Sequence, residues 1–194
     1  MKIEYEATFP NINKDEIRQR LKTADAELVR PEFLQKRSTF NLPKGHEIKN
    51  GWLRVRDEQD KITMTLKVVK AGKIEEQKEI TLKVDDYAQA EYFLQSIGCE
   101  KKSYQETKRE IWMLEGVEIC IDEWPFLEPY VEIEGNSQEA VKNISTKLGF
   151  DYFRALFCSV DVLYRMKYGM PEEEVDRIPL ITFESKNPFL KGKL

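Results

Sequence analysis

Alternation of apolar and charged residues with a period of two is the feature of this sequence that most constrains its fold. In "WLRVR", Leu53 and Val55 alternate with Arg54 and Arg56. The same pattern recurs in MKIEYEATF (1–9), KITMTLK (61–67), EEQKEITLKV (75–84), GVEICIDE (116–123) and PYVEIEG (129–135). Successive side chains of a β-strand point to opposite faces of its sheet. The pattern therefore predicts strands that each have one apolar face and one charged or polar face.

Strands dominate the predicted order of elements, with helices between some of them. The predicted strands are 2–10, 26–41, 52–58, 61–69, 74–84, 100–114, 117–124 and 129–135. Helical stretches cover 11–22, 85–98, 137–149 and 159–169. Asn13 is the predicted N-cap of the first helix, and Gly98 is expected to end the second.

Like charges recur two residues apart on the charged faces of these strands. Glu4 and Glu6 form one such pair, Glu132 and Glu134 another, and Arg54 and Arg56 a basic one. At a rise of about 3.3 Å per residue, the members of a pair lie roughly 6.6 Å apart on one face. Nearby like charges disfavour ionisation, so we expect a cation between the carboxylates and an anion at the arginines.

The alternation alone fits two architectures. In an open antiparallel sheet the charged faces meet water and helices cover the apolar side. In a closed barrel the charged faces line the lumen, and the apolar faces lie outside under the helices. The paired like charges favour the barrel, because opposite charges from different strands then meet around a shared ligand.

An ordered set of short motifs resembles the CYTH superfamily, the triphosphate tunnel metalloenzymes. "EYEAT" resembles the family's E-x-E-x-K opening, and "WLRVR", Leu66–Lys67, "KREIW", the Asp of "CIDEW" and "VEIEG" follow in family order over residues 1–134. "SVDVLYRMK" resembles the family's closing helix. Any one fragment is weak in a chain this charged, whereas the ordered set is specific.

The resemblance implies an α+β fold: an eight-stranded antiparallel β-barrel, or tunnel, with a charged lumen and helices packed outside. We assign residues 1–169 to this tunnel domain and residues 170–194 to a C-terminal tail that packs on it. The tail includes "PEEEVD", which we interpret as a solvated helix start rather than a metal site. Members of the family include thiamine, inorganic and RNA triphosphatases and class IV adenylate cyclases.

The ligand that the resemblance implies is a small triphosphate or nucleotide, bound with Mg²⁺ or Mn²⁺. Arginine forks and lysine ammonium groups match phosphate oxygens, and our candidates are Arg54, Arg56, Lys67, Arg109 and Lys167. Mg²⁺ prefers oxygen ligands, for which the candidates are Glu4, Glu6, Asp122, Glu132 and Glu134. Glu4 and Glu6 are also the candidate catalytic residues, and Glu79 and Arg37 are weaker candidates for the site.

One position departs from the family motif. The lysine of the opening motif falls on Thr8, so an inward cation is missing. Arg37, in "QKRSTFNLP", is one candidate to restore that charge, although the phase of the strand at 26–41 is ambiguous. The alternative is that the site has changed its substrate or lost turnover.

Three functions are compatible with these motifs. The first is metal-dependent hydrolysis of tripolyphosphate, thiamine triphosphate or a nucleoside triphosphate. The second is a class IV adenylate cyclase, which forms cyclic AMP and pyrophosphate from ATP. The third is a non-catalytic polyphosphate or nucleotide-binding protein. Aromatic residues could stack on a nucleotide base, but we favour core packing or closure of the barrel ends as their role. These residues are Trp52, Trp112, Trp124 and Phe126.

Composition bounds the partners and the compartment. A net charge of −4 leaves no positive excess to neutralise the phosphates of duplex nucleic acid. The three cysteines lack metal-ligand spacing, which favours reduced thiols in the cytoplasm. No stretch resembles a signal peptide, and no apolar run approaches the roughly 20 residues of a spanning helix, so we expect no membrane association. The sequence leaves the oligomeric state open.

Overall fold

The computed structural model describes residues 1–70 and 73–190. Ala71 and Gly72, in the predicted turn "KAGK", and residues 191–194 of the predicted tail lie outside the described residues. The strands are β1 (Lys2–Ile3), β2 (Tyr5–Phe9), β3 (Glu27–Asn41), β4 (Gly51–Asp57), β5 (Ile62–Val69), β6 (Gln77–Val84), β7 (Glu100–Leu114), β8 (Val117–Glu123), β9 (Tyr130–Gly135) and β10 (Leu180–Ile181). The helices are α1 (Lys14–Thr23), α2 (Tyr87–Ser96), α3 (Gln138–Lys147), α4 (Val160–Tyr168) and α5 (Glu172–Val175).

The strands form one sheet that nearly closes into a barrel. Their order is β1-β6-β5-β4-β3-β7-β8-β9-β2, and these neighbours pair antiparallel. Only Glu4 separates β1 from β2, so the first stretch of chain pairs with both ends of the sheet. The expected α+β barrel with helices outside is confirmed. The described residues contain ten strands rather than eight, because the first strand is broken at Glu4 and β10 is an additional short strand.

The main hydrophobic core lies between the outer face of the sheet and the helices. Helix α3 contacts β2, β8 and β9, where Val141 and Ile144 join Ile119 and Ile133 in a buried cluster. Helix α2 contacts β4 and β7 and forms a second cluster. Since the apolar residues are used on the outside, the inner face of the sheet is left to charged side chains.

The apolar outer face of β6 is not covered in this way. Ile80 is 46% exposed and Leu82 is 53% exposed, so the expectation that every apolar face lies under a helix is wrong for this strand. The reason is the placement of α2, whose main strand contacts are with β4 and β7 rather than with β6.

The sequence signals predicted the start of the first helix correctly and the start of one strand less accurately. The side chain of Asn13 accepts hydrogen bonds from the backbone N–H groups of Asp15 and Glu16, which confirms it as an N-cap. The strand predicted at 74–84 begins only at Gln77, because residues 74–76 form a 3₁₀ turn. That turn places Ile74 in the main core, where it is 2% exposed.

The described part of the tail packs against the barrel. Val175, Ile181 and Phe189 are buried in a third cluster, and the Phe189 ring stacks on Tyr164 at a centroid distance of 4.1 Å. The division of the chain at residue 169 stays a prediction. Within residues 1–70 and 73–190, no helix has the length and apolar character needed to cross a bilayer.

Candidate functional site

The lumen of the barrel holds a cavity of about 480 Å³. Side chains of both signs from most of the strands line it. The predicted site residues among them are Glu4, Glu6, Arg37, Arg54, Arg56, Lys67, Glu79, Arg109, Glu132 and Glu134. The structure therefore brings together in one cavity residues that are up to 130 positions apart in the sequence.

One side of the cavity is basic, and we call Arg37, Arg54 and Arg56 the basic wall. Arg37 on β3 lies directly opposite Arg56 on β4, and Arg54 follows one strand period along. The pKa of Arg54 is lowered to about 9, mainly by burial and also by the charges of Arg56 and Arg37. Burial, with the charges of Arg56 and Arg109, also lowers the pKa of Arg37 to about 10. The three cations therefore destabilise one another in this conformation.

The members of the basic wall differ in their partners. Arg56 contacts Glu58 at 2.6 Å. Arg37 Nη2 donates to the side chains of Gln35 and Thr107, at 3.0 and 2.7 Å. Arg54 has no carboxylate within 4.0 Å in the described ranges, and its buried Nε has no hydrogen-bond acceptor. Of these three arginines, Arg54 is therefore the least compensated by the protein itself and has the greatest need for an external anion.

A second side of the cavity is acidic, and we call Glu4, Glu6 and Glu134 the acidic wall. Glu6 and Glu134 are cross-strand partners on β2 and β9. The pKa of Glu6 is raised to about 8, mainly by burial and also by the charges of Glu132, Glu4 and Glu134, against the opposing effect of Lys67. Burial and the charge of Glu4 likewise raise the pKa of Glu134 to about 7.

Two basic residues lie among these carboxylates. Lys67 Nζ is 3.1 Å from Glu4 Oε2 and 3.8 Å from Glu6 Oε2. Arg109 Nη2 is 2.5 Å from Asp122 Oδ2 and 2.5 Å from Glu132 Oε2. Lys67 and Arg109, predicted as phosphate ligands, therefore contact predicted metal ligands in this structure. Asp122 is 1% exposed and does not line the cavity; it contacts the site only through Arg109.

The predicted metal ligands fit a hard divalent cation in their chemistry. All are carboxylates, which suit Mg²⁺ and Mn²⁺, and four of them, Glu4, Glu6, Glu132 and Glu134, line the same cavity. However, no group of three or more His, Cys, Asp or Glu residues in 1–70 and 73–190 is placed so as to hold a metal ion by itself. Phosphate oxygens and water would have to complete the coordination, as is usual for Mg²⁺ at phosphate sites.

Lys167, predicted as a phosphate ligand, lies away from the cavity. It is on the exposed side of α4, and its Nζ is 2.8 Å from Glu128 Oε1. It lines a separate surface cavity of about 470 Å³ together with Asn11 and Met166. The resemblance placed a basic residue of the closing helix at the site, whereas the rotation of the helix turns this one outward.

The structure settles the phase of β3 and the surroundings of Thr8. Arg37 points inward, is only 7% exposed and lines the cavity. Thr8 is 3% exposed, lies opposite Glu132, and exchanges two backbone hydrogen bonds with Leu156. Arg37 thus supplies a cation to the lumen from a different strand than the family lysine.

Some residues that line the cavity were not predicted. Trp52 shares the inward side of β4 with Arg54 and Arg56, and its two-residue spacing was a signal that could have placed it there. Trp112 is 4% exposed and lies in the main core, as interpreted. Trp124 is equally buried but also lines the cavity, with the Arg37 guanidinium 4.6 Å from its ring centroid, and Trp52 is only partly buried. Further lining residues are Thr39, Lys102, Gln105, Glu118, Tyr130, Asp161, Glu172, Glu173 and Asp176. A helix begins within "PEEEVD", and Glu173 and Asp176 are exposed, as the interpretation as a solvated helix start expects. That interpretation did not include the place of Glu172, Glu173 and Asp176 at the cavity.

A nearly closed antiparallel barrel with a lumen of mixed charge defines a tunnel protein, and comparison identifies its family. The CYTH domain profile matches residues 2–156. The chain belongs to the CYTH family, which confirms the resemblance carried by the motifs. No curated protein matches the chain.

Solved structures with the same fold come from archaea, bacteria and a plant. A conserved hypothetical protein from Pyrococcus furiosus is 22% identical, with a TM-score of 0.65 over 78% of this chain and 94% of its own. A candidate adenylate cyclase from Vibrio parahaemolyticus is 13% identical, with a TM-score of 0.72 over 84% and 97%. The Hippeastrum protein HpAC1, a candidate adenylyl cyclase with a dominant triphosphatase activity, is 14% identical, with a TM-score of 0.55 over 89% and 99%. At these identities the likeness shows the fold.

Proposed function

We propose that this protein binds a triphosphate compound in its tunnel and hydrolyses it with Mg²⁺ or Mn²⁺. The observation that carries the proposal is the basic wall. Buried cations without anionic partners are costly, and Arg54 lacks a carboxylate partner among the described residues. A bound phosphate chain, with several negative charges, would compensate the charges of Arg37, Arg54 and Arg56 together.

The basic residues would divide the work of holding the phosphates. Arg54 and Arg56 present planar forks that match phosphate oxygens, and Arg37 adds a third positive charge. Lys67 and Arg109 lie among the carboxylates and have several N–H donors each, so they can contact a phosphate while they keep their acidic partners.

The carboxylates would hold the metal and the water. Glu4, Glu6, Glu132 and Glu134 are the proposed ligands, with Asp122 acting through Arg109. The ion would supply neutralisation of phosphate charge and orientation of the attacking water. Glu4 and Glu6 are also the proposed catalytic residues, since a carboxylate beside the metal could orient the attacking water.

Class IV adenylate cyclase activity is the second candidate, and Trp52 is the observation that favours it. Its ring lines the cavity one strand period from Arg54, where an aromatic face could stack on a base beside bound phosphates. The fold of HpAC1, with its dominant triphosphatase activity, supports hydrolysis as the first candidate. Non-catalytic binding is the third outcome, because Thr8 stands in place of the family lysine.

We also propose that the protein acts in the cytoplasm on small molecules. The thiols of Cys99, Cys120 and Cys158 are free, which suits a reducing compartment.

A product-release screen tests the proposal. Purified protein is incubated with tripolyphosphate, thiamine triphosphate, ATP and RNA 5′-triphosphate, each with Mg²⁺ or Mn²⁺, and phosphate, pyrophosphate and cyclic AMP are measured. We expect phosphate release that requires metal and is lost in Arg54→Ala. Cyclic AMP and pyrophosphate from ATP would instead establish the cyclase. Tight binding without product in any reaction would overturn hydrolysis in favour of a binding protein.

A further inference from the structure

The tail forms part of the tunnel mouth, although it follows the residues that the CYTH profile matches. Strand β8 pairs with β7 only from Lys108 onward. Beyond that point β10 runs parallel to β7 and pairs with Tyr104 and Gln105. Val175 and Ile181 are buried and line the cavity. The tail therefore occupies the position beside β7 that β8 leaves open.

The acidic side chains at this mouth are Asp161, Glu172, Glu173 and Asp176, all of which line the cavity. We call them the acidic rim. Glu172 is paired with Arg165 at 2.5 Å, and Asp176 with Lys102 at 2.8 Å. Asp161 and Glu173 have no Lys or Arg within 4.0 Å among the residues with a described position. Four carboxylates and two cations leave the rim with a net excess of two negative charges.

A second and independent feature of the same cavity points to an anionic ligand. Arg37 is 7% exposed, and its Nε has no hydrogen-bond acceptor. Together with Arg54 and Arg56 it forms the basic wall. The cavity thus attracts phosphate at this wall, while the rim carries the opposite sign at the mouth.

We propose that the acidic rim limits the ligand to a short phosphate chain, so that triphosphate is preferred over long-chain polyphosphate. This inference rests on the proposed function. A triphosphate can lie against the basic wall, whereas a longer chain that passes the mouth would bring more phosphates beside Asp161 and Glu173. Repulsion between like charges at exposed positions is modest, so the effect is graded discrimination rather than complete exclusion.

A binding comparison without metal tests the rim. Dissociation constants for tripolyphosphate and for long-chain polyphosphate are measured in EDTA for the wild type, Glu173→Gln, Glu173→Lys and Glu184→Gln. Glu184 is the matched control, because it is an exposed acid of the same tail that does not line the cavity. Arg54→Ala is a second control, because any polyphosphate binding that this variant retains is attributed to surfaces outside the tunnel.

We expect Glu173→Gln to improve the affinity for long-chain polyphosphate relative to tripolyphosphate by about two- to fivefold, the size of an exposed charge interaction. Glu173→Lys should have a larger effect, and both effects should shrink at high salt. Glu184→Gln should leave the ratio unchanged. An unchanged ratio in both Glu173 variants, or an equal change in Glu184→Gln, would overturn the inference. Failure of the wild type to bind tripolyphosphate would overturn the proposed function as well.

Discussion

The basic wall and the acidic wall of the tunnel are built in the same way but are compensated differently. Each places like charges on neighbouring strands inside one cavity. Lys67 lies within 4.0 Å of two members of the acidic wall. On the basic wall, Arg56 has its carboxylate partner in Glu58, at the end of the strand, and Arg54 has none in the described part of the chain.

The comparison teaches that the two walls have unequal needs for a ligand. Protonation can relieve the acidic wall, since a buried carboxyl neutralises itself when its pKa rises. Arginine lacks this escape near neutral pH. An anion on the basic wall should therefore bind without help, whereas a cation on the acidic wall competes with Lys67 and with protons.

The largest expected effect is on the basic wall. Arg54→Ala should weaken the affinity for tripolyphosphate in EDTA by about tenfold to hundredfold, the range for loss of a hydrogen bond to a charged group. Isothermal calorimetry provides the measurement. The free energy of unfolding of the unliganded protein should not fall, because one of three mutually repelling cations is removed. Arg154→Ala, at an exposed arginine away from the cavity, is the control and should change neither quantity.

The next effect concerns the acidic wall. Glu134→Gln should raise the Mn²⁺ concentration needed for half-maximal phosphate release by about tenfold, in the range seen when groups around a metal are removed. Affinity for tripolyphosphate in EDTA should stay the same or improve, because a negative charge near the phosphates is lost. Equal losses of metal-free affinity in Glu134→Gln and Arg54→Ala would mean that the two walls do not have separate ligands.

The pH dependence of stability offers a third way to separate the walls. The pKa of Glu6 is raised to about 8 and that of Glu134 to about 7, from an ordinary value of 4.5. The folded state then holds protons that the unfolded state releases, so the contribution of these two groups to stability is full below about pH 4.5 and is lost as the pH rises through 7 and 8. In EDTA the melting temperature should fall by several degrees between pH 6 and pH 8, at about 2–4 °C per kcal/mol for a chain of this size.

Two comparisons sharpen this test. Glu134→Gln should make the melting temperature fall less steeply in the lower part of this pH range. Arg54→Ala should leave the shape of the pH dependence unchanged. Tripolyphosphate with Mg²⁺ should raise the melting temperature at pH 8 more than either alone, whereas sulfate should not reproduce the effect. A melting temperature that rises from pH 6 to pH 8 in EDTA would contradict the assignment of buried, protonated carboxyls to the acidic wall.

The smallest expected effect is at Thr8, where the family motif has lysine. Thr8→Lys adds a cation opposite Glu132, and we expect tripolyphosphate affinity in EDTA to improve by about threefold, within the range of a partly screened charge. The melting temperature should fall, since Thr8 is 3% exposed and leaves little room for a long side chain. If affinity is unchanged while Arg37→Ala abolishes binding, Arg37 alone provides the cation that the motif lacks.

The sequence predicted most of the fold because its strand signal is redundant. Six segments, but not the strands at 26–41 and 100–114, repeat the same apolar and charged alternation. An error at one boundary, such as the 3₁₀ turn at 74–76, therefore does not change the assignment. The lining of the cavity by Glu4, Glu6, Arg54 and Glu132 followed from the same period of two. The outward direction of Lys167 did not follow, because a helix at a barrel mouth can be rotated without any change in its own periodicity.

The sequence by itself determined which side chains share a face, because that depends only on the local geometry of the strand. It also determined the family, because the motifs recur in order. Tertiary structure alone decided which charges meet across the lumen. The ion pairs of Lys67 with Glu4 and of Arg109 with Glu132, the lack of a carboxylate partner at Arg54 in the described ranges, and the place of the tail beside β7 all depend on the order in which the strands are assembled into the nearly closed sheet. Closure brings together residues that are distant in the chain, and local patterns carry no information on such distances.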